Sequence, residues 1–201
     1  MDFNVSRIFW IFPQFNFDIE KAMKRLREIQ DERHKRYLKK RKEEENRLFV
    51  RVCGVEEVDV VRDMLQFDID VSVKNRGIVQ AAANGHVDVV KVLLQNGADV
   101  NAVVEFKKTA LHRAAEYGHV DVVKVLLENG ADVNAVTNEV KWTALHEAAI
   151  NGQVDVVKVL IQNRADVDAV DEDKWTALHW TARNGYVGVA KVLIQKGADV
   201  N

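Results

Sequence analysis

The nine residues HVDVVKVLL occur twice in this chain, at positions 86–94 and 119–127, without a single difference. Two close versions follow, QVDVVKVLI at 153–161 and YVGVAKVLI at 186–194. The starts of these four copies are 33, 34 and 33 residues apart. A fixed period of this length is typical of repeat proteins, in which each repeat is one supersecondary unit that stacks on its neighbours.

Two shorter motifs keep the same period. TALH begins at 109, 143 and 176, and GADVN begins at 97, 130 and 197, with RADVD at 164 in place of one copy. The glycine of GADVN is expected to end a helix in the left-handed conformation, which glycine adopts without a steric penalty. Arg164 is therefore expected to cost about 1 kcal/mol of stability if it keeps that conformation.

Each period predicts two helices joined by a turn. The first helix has a face of small residues at i, i+3 and i+4, formed by Leu111, Ala114 and Ala115. The second helix has an apolar stripe two turns long, formed by Val122, Val123, Leu126 and Leu127. Gly118 separates the two helices, and an extended connection leads from the second helix to the next repeat.

In combination these motifs resemble the ankyrin repeat, whose unit reads G-x-T-P-L-H-x-A-A-x-x-G-H-x-x-V-V-x-L-L-x-x-G-A-D-V-N. The resemblance implies an all-α ankyrin-repeat solenoid of helix-turn-helix units with β-hairpin fingers, preceded here by a long charged N-terminal helix. Alanine stands where the family has proline in all three TALH copies. Lys107, Lys141 and Lys174 stand where the hairpin glycine is usual, which predicts a modified turn.

A weaker pattern upstream raises the expected number of repeats to five. VDVVRDML at 58–65 predicts a second helix, and LFVRVCG at 48–54 predicts a degenerate first helix. Ser72–Arg76 is expected to be a short connection with a stunted finger. The predicted organisation is an aromatic-rich segment at 1–17, a charged helix at 18–47 and a repeat domain at 48–201, with repeats at 46–75, 76–106, 107–140, 141–173 and 174–201.

The two ends of the predicted solenoid differ. A solenoid needs polar end caps, because each terminal repeat otherwise leaves an apolar face uncovered. The charged helix at 18–47 is the candidate cap for the first repeat. The last repeat has no polar substitution in AKVLI, so we expect either a longer array or end-to-end docking on another molecule, such as a second copy.

The composition indicates a folded, soluble protein, with 47% hydrophobic and 30% charged residues and no apolar run long enough to span a bilayer. The single cysteine, Cys53, excludes an internal disulfide and suits a reducing compartment. We therefore expect a cytoplasmic location, with a nuclear location or delivery into a host cell left open.

The sequence offers no motif for catalysis, a cofactor or a metal. His112, His146 and His179 recur at the period, and stacked equivalents lie about 10 Å apart, too far to share a metal. HEAAI at 146–150 lacks the second histidine of a zinc-protease helix, and the usual phosphate, dinucleotide, acyl-transfer and dithiol motifs are absent. We predict no enzyme, and the resemblance implies that the Thr and His of TALH bond to backbone of the same and the adjacent repeat.

Positions that differ between repeats are the candidates for partner binding. By resemblance, fingers and first helices line a concave groove that holds a protein partner, and Trp, Tyr and Arg dominate binding energy at such surfaces. The predicted partner-binding residues are Phe106, Lys108, Arg113, Tyr117, Trp142, Glu147, Trp175, Trp180 and Arg183. Packing along the hairpin explains Trp142 and Trp175 equally well, whereas Trp180 stands where sister repeats carry charged residues.

The leading segment contains a basic run, RHKRYLKKRK at 33–42, that could bind nucleic acid or an anionic membrane. Opposite charges at i,i+4 favour a solvated helix instead. These predicted pairs are Glu20–Lys24, Asp31–Lys35, Glu32–Arg36, Lys39–Glu43, Lys40–Glu44 and Arg41–Glu45. The function predicted from the sequence is a non-catalytic protein-interaction module; the alternatives are a binder of nucleic acid or anionic membrane, or an adaptor region of a larger multidomain protein or effector.

Overall fold

A computed structural model of the chain describes residues 19–138 and 140–200. The predicted aromatic segment at 1–17 lies outside these residues. The described residues form ten α-helices and no β-strand. The chain divides into two compact units, residues 1–45 and 46–201. Within the described residues, no helix is both long enough and apolar enough to cross a membrane.

The helices confirm the predicted alternation of first and second helices. The leading helix α1 (Ile19–Cys53) supplies the first helix of repeat 1 through its residues 46–53. The other first helices are α3 (Val71–Asn84), α5 (Ala110–Tyr117), α7 (Ala144–Ile150) and α9 (Ala177–Asn184). The second helices are α2 (Val58–Met64), α4 (Val87–Gln95), α6 (Val120–Glu128), α8 (Val154–Gln162) and α10 (Val187–Gln195).

The part of α1 in the first compact unit is a solvated helix. Every side chain from Lys24 to Glu45 is exposed. Among the described side chains, two of the predicted i,i+4 pairs are formed, Arg36 with Glu32 at 3.4 Å and Arg41 with Glu45 at 2.9 Å. An exposed pair contributes only about 0.2 to 1 kcal/mol, so hydration competes with each of the others. The prediction that this helix caps the first repeat stays a prediction.

In the second compact unit the helices pack in two rows. The first helices α3, α5, α7 and α9 contact one another in succession, and the second helices α2, α4, α6, α8 and α10 do the same. The predicted small-residue face is buried completely at Ala114 and Ala115, which lets neighbouring first helices approach closely. Leu126 and its equivalent Leu160 are also fully buried. The apolar faces of repeats 2 to 4 are therefore covered by the neighbouring repeats.

Repeat 1 packs on repeat 2 through Phe49 and Cys53, both of which are completely buried. This burial confirms the degenerate first helix. Gly77 lies against them, and a Cβ there would lie 2.9 Å from the Cys53 sulfur. Burial raises the pKa of the Cys53 thiol to about 12, so this cysteine is an inert core residue rather than a nucleophile.

The predicted connection at Ser72–Arg76 is wrong. These residues lie inside α3, which begins at Val71 and runs for 14 residues. The stretch contains neither glycine nor proline, and tertiary contacts hold it as a helix. Asn75 Oδ1 accepts a hydrogen bond of 2.8 Å from Asp99 N, and Lys74 Nζ donates one of 3.1 Å to the Asn96 carbonyl. The boundary drawn at residue 76 therefore falls within a helix, and no finger lies between repeats 1 and 2.

Three fingers, residues 102–109, 135–143 and 169–176, join the later repeats. Each closes by one hairpin-type hydrogen bond: Val104 N to Lys108 O at 3.1 Å, Thr137 N to Trp142 O at 3.0 Å, and Asp171 N to Trp175 O at 2.9 Å. Neighbouring fingers are also joined, because Asn138 N donates to Phe106 O and Glu172 N donates to Val140 O, each at 3.2 Å. The fingers are thus hairpin turns tied side by side, without regular strands among the described residues.

Left-handed backbone occurs at lysine, phenylalanine and arginine positions in this part of the fold. Lys107, Lys141 and Lys174 have φ of 54°, 54° and 66°, so they keep the conformation that favours the family's glycine. Phe106 is left-handed as well, with φ 59°. Arg164 has φ 68°, close to the 82° and 85° of Gly97 and Gly130 at the equivalent helix ends. Arg164 therefore keeps the conformation under which a stability cost is expected.

Exchanging arginine and glycine at these helix ends should change stability in opposite directions. We expect Arg164→Gly to raise the free energy of unfolding by about 1 kcal/mol, because glycine carries no left-handed penalty. Gly97→Arg is the matched variant and should lower stability by a similar amount, since a Cβ at Gly97 meets no atom within 4 Å and only the backbone strain is added. Urea denaturation of both variants measures the two changes, and a loss of stability in Arg164→Gly would contradict the strain argument.

Candidate functional site

The TALH motifs build the frame on which the candidate residues lie. In α5 the Thr109 hydroxyl donates to His112 Nδ1 at 2.8 Å and accepts from the His112 backbone N at 3.4 Å. This bonding leaves the hydrogen on His112 Nε2, which donates to the Trp142 carbonyl of the next finger at 3.0 Å. His146 makes the same bond to the Trp175 carbonyl at 3.2 Å. The structural role that the resemblance implied for these histidines is confirmed.

His112 is neutral because its surroundings disfavour a charge. Burial lowers the pKa of His112 to about 4, and the nearby charges of Lys108 and Arg113 act in the same direction, against the raising effect of the Trp142 carbonyl. Burial likewise lowers the pKa of His146. A neutral ring with one donor and one acceptor nitrogen is the form that the capping box and the bond between repeats require.

Three sequence positions that differ between repeats meet in space. One is the finger position, held by Lys108, Trp142 and Trp175. The second is a first-helix position, held by Arg113, Glu147 and Trp180, and the third lies three residues further on, held by Glu116, Ile150 and Arg183. Lys108 contacts the third position of its own repeat and the second position of the next. Trp142 contacts the second position of the next repeat, and Trp175 contacts the second and third positions of its own. The side chains that occupy these positions form an ionic cluster in one place and an aromatic cluster in another.

The ionic cluster lies between repeats 3 and 4 and contains two cations and two carboxylates. Lys108 Nζ lies 2.8 Å from Glu147 Oε1 and 3.0 Å from Glu116 Oε2. Arg113 Nη1 lies 3.0 Å from Glu116 Oε2. The four formal charges cancel, so the cluster presents no net charge to a partner.

Glu147 is the buried member of the ionic cluster, with a side chain 2% exposed. Burial raises the pKa of Glu147 in spite of the opposing attraction of Lys108. The Oε1 atom has the ion pair with Lys108 but no hydrogen bond of good geometry. Burial also disfavours the charge of Lys108, yet its contacts with the carboxylates of Glu147 and Glu116 raise the pKa of Lys108 overall. Lys108 is therefore the counter-ion on which the buried carboxylate depends.

The aromatic cluster occupies the same three positions between repeats 4 and 5. The ring centroids of Trp142 and Trp180 lie 5.3 Å apart in an edge-to-face arrangement, and those of Trp175 and Trp180 lie 5.0 Å apart. Arg183 Cζ lies 5.5 Å from the Trp175 centroid and 5.4 Å from the Trp180 centroid. These distances suit cation–π contacts with both rings.

Asp171 holds the aromatic cluster together and was not among the predicted residues. Its Oδ2 accepts the indole N–H of Trp180 at 2.9 Å and that of Trp142 at 3.3 Å, and its Oδ1 accepts the Trp175 backbone N–H at 2.8 Å. Asp171 is 3% exposed. Burial by itself would raise the pKa of Asp171, but these three hydrogen bonds favour the carboxylate and lower it. The available signal was an acidic residue where the other fingers carry Thr137 and Val104.

The other predicted residues differ in what they offer to a partner. Phe106 at a fingertip is 64% exposed, and Tyr117 at the end of α5 is 52% exposed. Arg183 is exposed, whereas Glu147 is buried and offers almost no surface. Half-buried side chains occur at the remaining positions: Lys108, Arg113, Trp142, Trp175 and Trp180. The partner-binding role assigned to these residues stays a prediction.

The chain matches the model of a repeat-protein family. Three overlapping stretches, residues 78–127, 111–161 and 145–194, match the family model described as ankyrin repeats in many copies. These stretches run without a gap from residue 78 to residue 194, which is more than half of the chain. No curated protein matches the chain.

Removing Lys108 should destabilise the protein more than removing both members of its buried pair. We expect Lys108→Met to lower the free energy of unfolding by about 3 kcal/mol, because Glu147 is left buried without a counter-ion. The double variant Lys108→Met/Glu147→Met should recover part of that loss. Lys124→Met is the matched control, since the exposed pair of Lys124 with Asp121 is worth at most about 1 kcal/mol. A double variant less stable than Lys108→Met would contradict the dependence of Glu147 on Lys108.

Proposed function

This chain belongs to the ankyrin repeat family, and we propose that it is a non-catalytic interaction module that holds a protein partner along its fingers and first helices. Ankyrin repeats are generally protein–protein interaction modules. The polar residues of TALH are occupied by capping and by bonds between repeats. The side chains that differ from repeat to repeat, and that can therefore give this chain its own binding specificity, are those at the variable positions.

The observation that carries the proposal is the combination of exposed and anchored aromatic residues on one set of elements. Phe106 and Tyr117 are exposed on a finger and a first helix, where an aromatic ring contacting water has an apolar surface to bury. Trp142, Trp175 and Trp180 are held by one another and by Asp171, so a partner would meet rings that are already ordered. Ordered aromatic and arginine side chains lose little entropy on binding and dominate binding energy in many interfaces.

The burial of each side chain determines which residues can be substituted to test the proposed function. Trp180 is half-buried and donates to the buried Asp171, so alanine there would also remove a donor from a buried carboxylate. Phe106 and Tyr117 are exposed and can be changed with little effect on folding. Phe67 is the matched control, because it is an aromatic side chain 73% exposed in the turn after α2, outside the fingers and the later first helices.

The test begins with affinity capture by the intact chain and identification of the captured protein by mass spectrometry. The Kd of that protein is then measured by calorimetry for the wild type and for Phe106→Ser/Tyr117→Ala. We expect the double variant to weaken binding by at least about tenfold, which corresponds to loss of about 1.4 kcal/mol of contact energy. The control Phe67→Ser should bind as the wild type does, and both variants should keep the wild-type thermal midpoint by circular dichroism. Equal Kd values for the double variant and the wild type would remove the proposal.

We also propose that the protein works in a reducing compartment such as the cytoplasm. The proposal rests on Cys53, the single cysteine of the sequence, which lies in the core with a raised pKa. A chain with this pattern gains nothing from an oxidising environment.

A second candidate function, binding to nucleic acid or an anionic membrane through residues 33–42, is supported by the unpaired cations of α1. In that run Arg36 and Arg41 are paired with carboxylates, whereas Arg33, Lys35, Lys39 and Lys40 are exposed and form no ion pair among the described residues. Arg33 and Lys40 are seven residues apart and share one helix face. Lys35 and Lys39 are four apart and share another. The free cations thus surround the helix, which suits a flexible polyanion better than a flat surface.

The salt dependence of oligonucleotide binding tests this second function. If it is right, a fluorescent single-stranded oligonucleotide should bind the intact chain with a Kd that rises steeply with salt concentration, because binding releases counter-ions. Arg33→Gln/Lys40→Gln and Lys35→Gln/Lys39→Gln should each weaken binding and reduce the salt slope. The matched control Lys124→Gln/Lys158→Gln, which changes two exposed lysines of the second helices α6 and α8, should have no effect. A Kd that does not change with salt would exclude this function.

A further inference from the structure

We propose that the partner presents a carboxylate, from an aspartate or glutamate side chain, to the guanidinium of Arg183. The inference rests on the proposed function and specifies the partner chemistry that the aromatic cluster recognises. It follows from the charge of that cluster, from the way Arg183 is held, and from a comparison with the ionic cluster built on the same positions.

The charge of Arg183 is not neutralised within the described part of the chain. Arg183 is exposed and forms no ion pair there. Asp171, the carboxylate of the same cluster, is buried and already accepts hydrogen bonds from three N–H groups of tryptophans. Glu172 and Asp173 at the adjacent fingertip are exposed and lie beyond ion-pair distance of Arg183. A positive charge is therefore left at the surface of repeat 5.

Among the three equivalent first-helix positions, the unpaired charge of Arg183 is specific to repeat 5. Glu116 occupies in repeat 3 the position that Arg183 occupies in repeat 5, and it is neutralised by Lys108 and Arg113. At the same position in repeat 4 stands Ile150, which carries no charge. Of the three equivalent residues, Arg183 alone keeps an unpaired charge within the described part of the chain. A partner segment that crosses the third positions of repeats 4 and 5 would meet an apolar residue beside an unpaired cation.

The tryptophans hold the guanidinium ready for a carboxylate. Contacts of about 5.5 Å with the faces of Trp175 and Trp180 restrict the side chain before a partner arrives. A guanidinium that stacks through its face keeps N–H groups at its edge, and two parallel N–H groups match the two oxygens of a carboxylate. Lysine lacks this planar fork and would be a weaker substitute. The partner segment expected here carries an acidic residue next to an apolar one that covers Ile150.

A random dodecapeptide library displayed on phage provides a defined probe for this site. The library is selected on the intact chain, and the selected peptides are synthesised and tested by calorimetry. We expect selected peptides that compete with one another to share an Asp or Glu beside an apolar residue. Arg183→Gln should weaken their binding by about tenfold or more, because the peptide carboxylate loses its charged hydrogen bonds. Arg183→Lys should restore only part of the binding, because lysine keeps the charge but lacks the planar fork. Arg51→Gln, which changes an exposed arginine of α1, should have no effect.

A double-mutant cycle separates this inference from the function on which it rests. Changing the shared acid of the peptide to its amide should weaken binding to the wild type but not further weaken binding to Arg183→Gln. Peptides that are sensitive to Phe106→Ser/Tyr117→Ala but insensitive to Arg183→Gln would overturn the carboxylate inference and leave the proposed function standing. A library with no binder, or with no peptide sensitive to either variant, would count against both.

Discussion

The hydrogen bond from a TALH histidine to the backbone of the next finger is the constraint on which the candidate site depends. His112 Nε2 donates to the carbonyl of Trp142, and His146 Nε2 donates to that of Trp175. These carbonyls belong to Trp142 and Trp175, the finger residues whose side chains contact Trp180 in α9. In the neutral ring Nδ1 accepts from the capping threonine while Nε2 carries the hydrogen for this bond, and burial favours the neutral state. A scaffold bond that recurs from repeat to repeat thus fixes the backbone of the residues that vary.

On this fixed backbone, two chemically opposite clusters occupy the same three positions. Lys108 contacts Glu116 in its own repeat and Glu147 in the next. In the aromatic cluster, Trp175 contacts Arg183 in its own repeat, and Trp142 contacts Trp180 in the next. The ionic cluster is internally neutral, and its buried carboxylate makes it sensitive to loss of one partner. The aromatic cluster instead buries its carboxylate, Asp171, under three N–H donors and leaves a cation outside. The same kinds of position can therefore hold either a neutral ionic cluster or an aromatic cluster with an exposed cation.

Much of the fold followed from local patterns. The helices of repeats 3 to 5 and the left-handed end at Gly97 were predicted, because each depends on residues within about one turn. The prediction failed at Ser72–Arg76, where side-chain bonds to the backbone that follows α4 accompany the extension of α3 into the expected connection. It was only partly right for α1, because two of the predicted ion pairs are present among the described side chains and exposed pairs are individually weak.

The sequence by itself determined the period, the helix pairs and which positions vary, since these properties arise from spacing along the chain. Only the tertiary structure decided which variable residues meet. Lys108 and Glu147 are in different repeats, and nothing local predicts that the carboxylate is 2% exposed and 2.8 Å from the lysine. The same holds for Asp171, whose acidic side chain lies between the indole N–H groups of two repeats. Stacking brings Trp142 into contact with Asp171, 29 residues further along the chain, and Lys108 into contact with Glu147 in the next repeat, and burial then sets the charge and the pairing of each group.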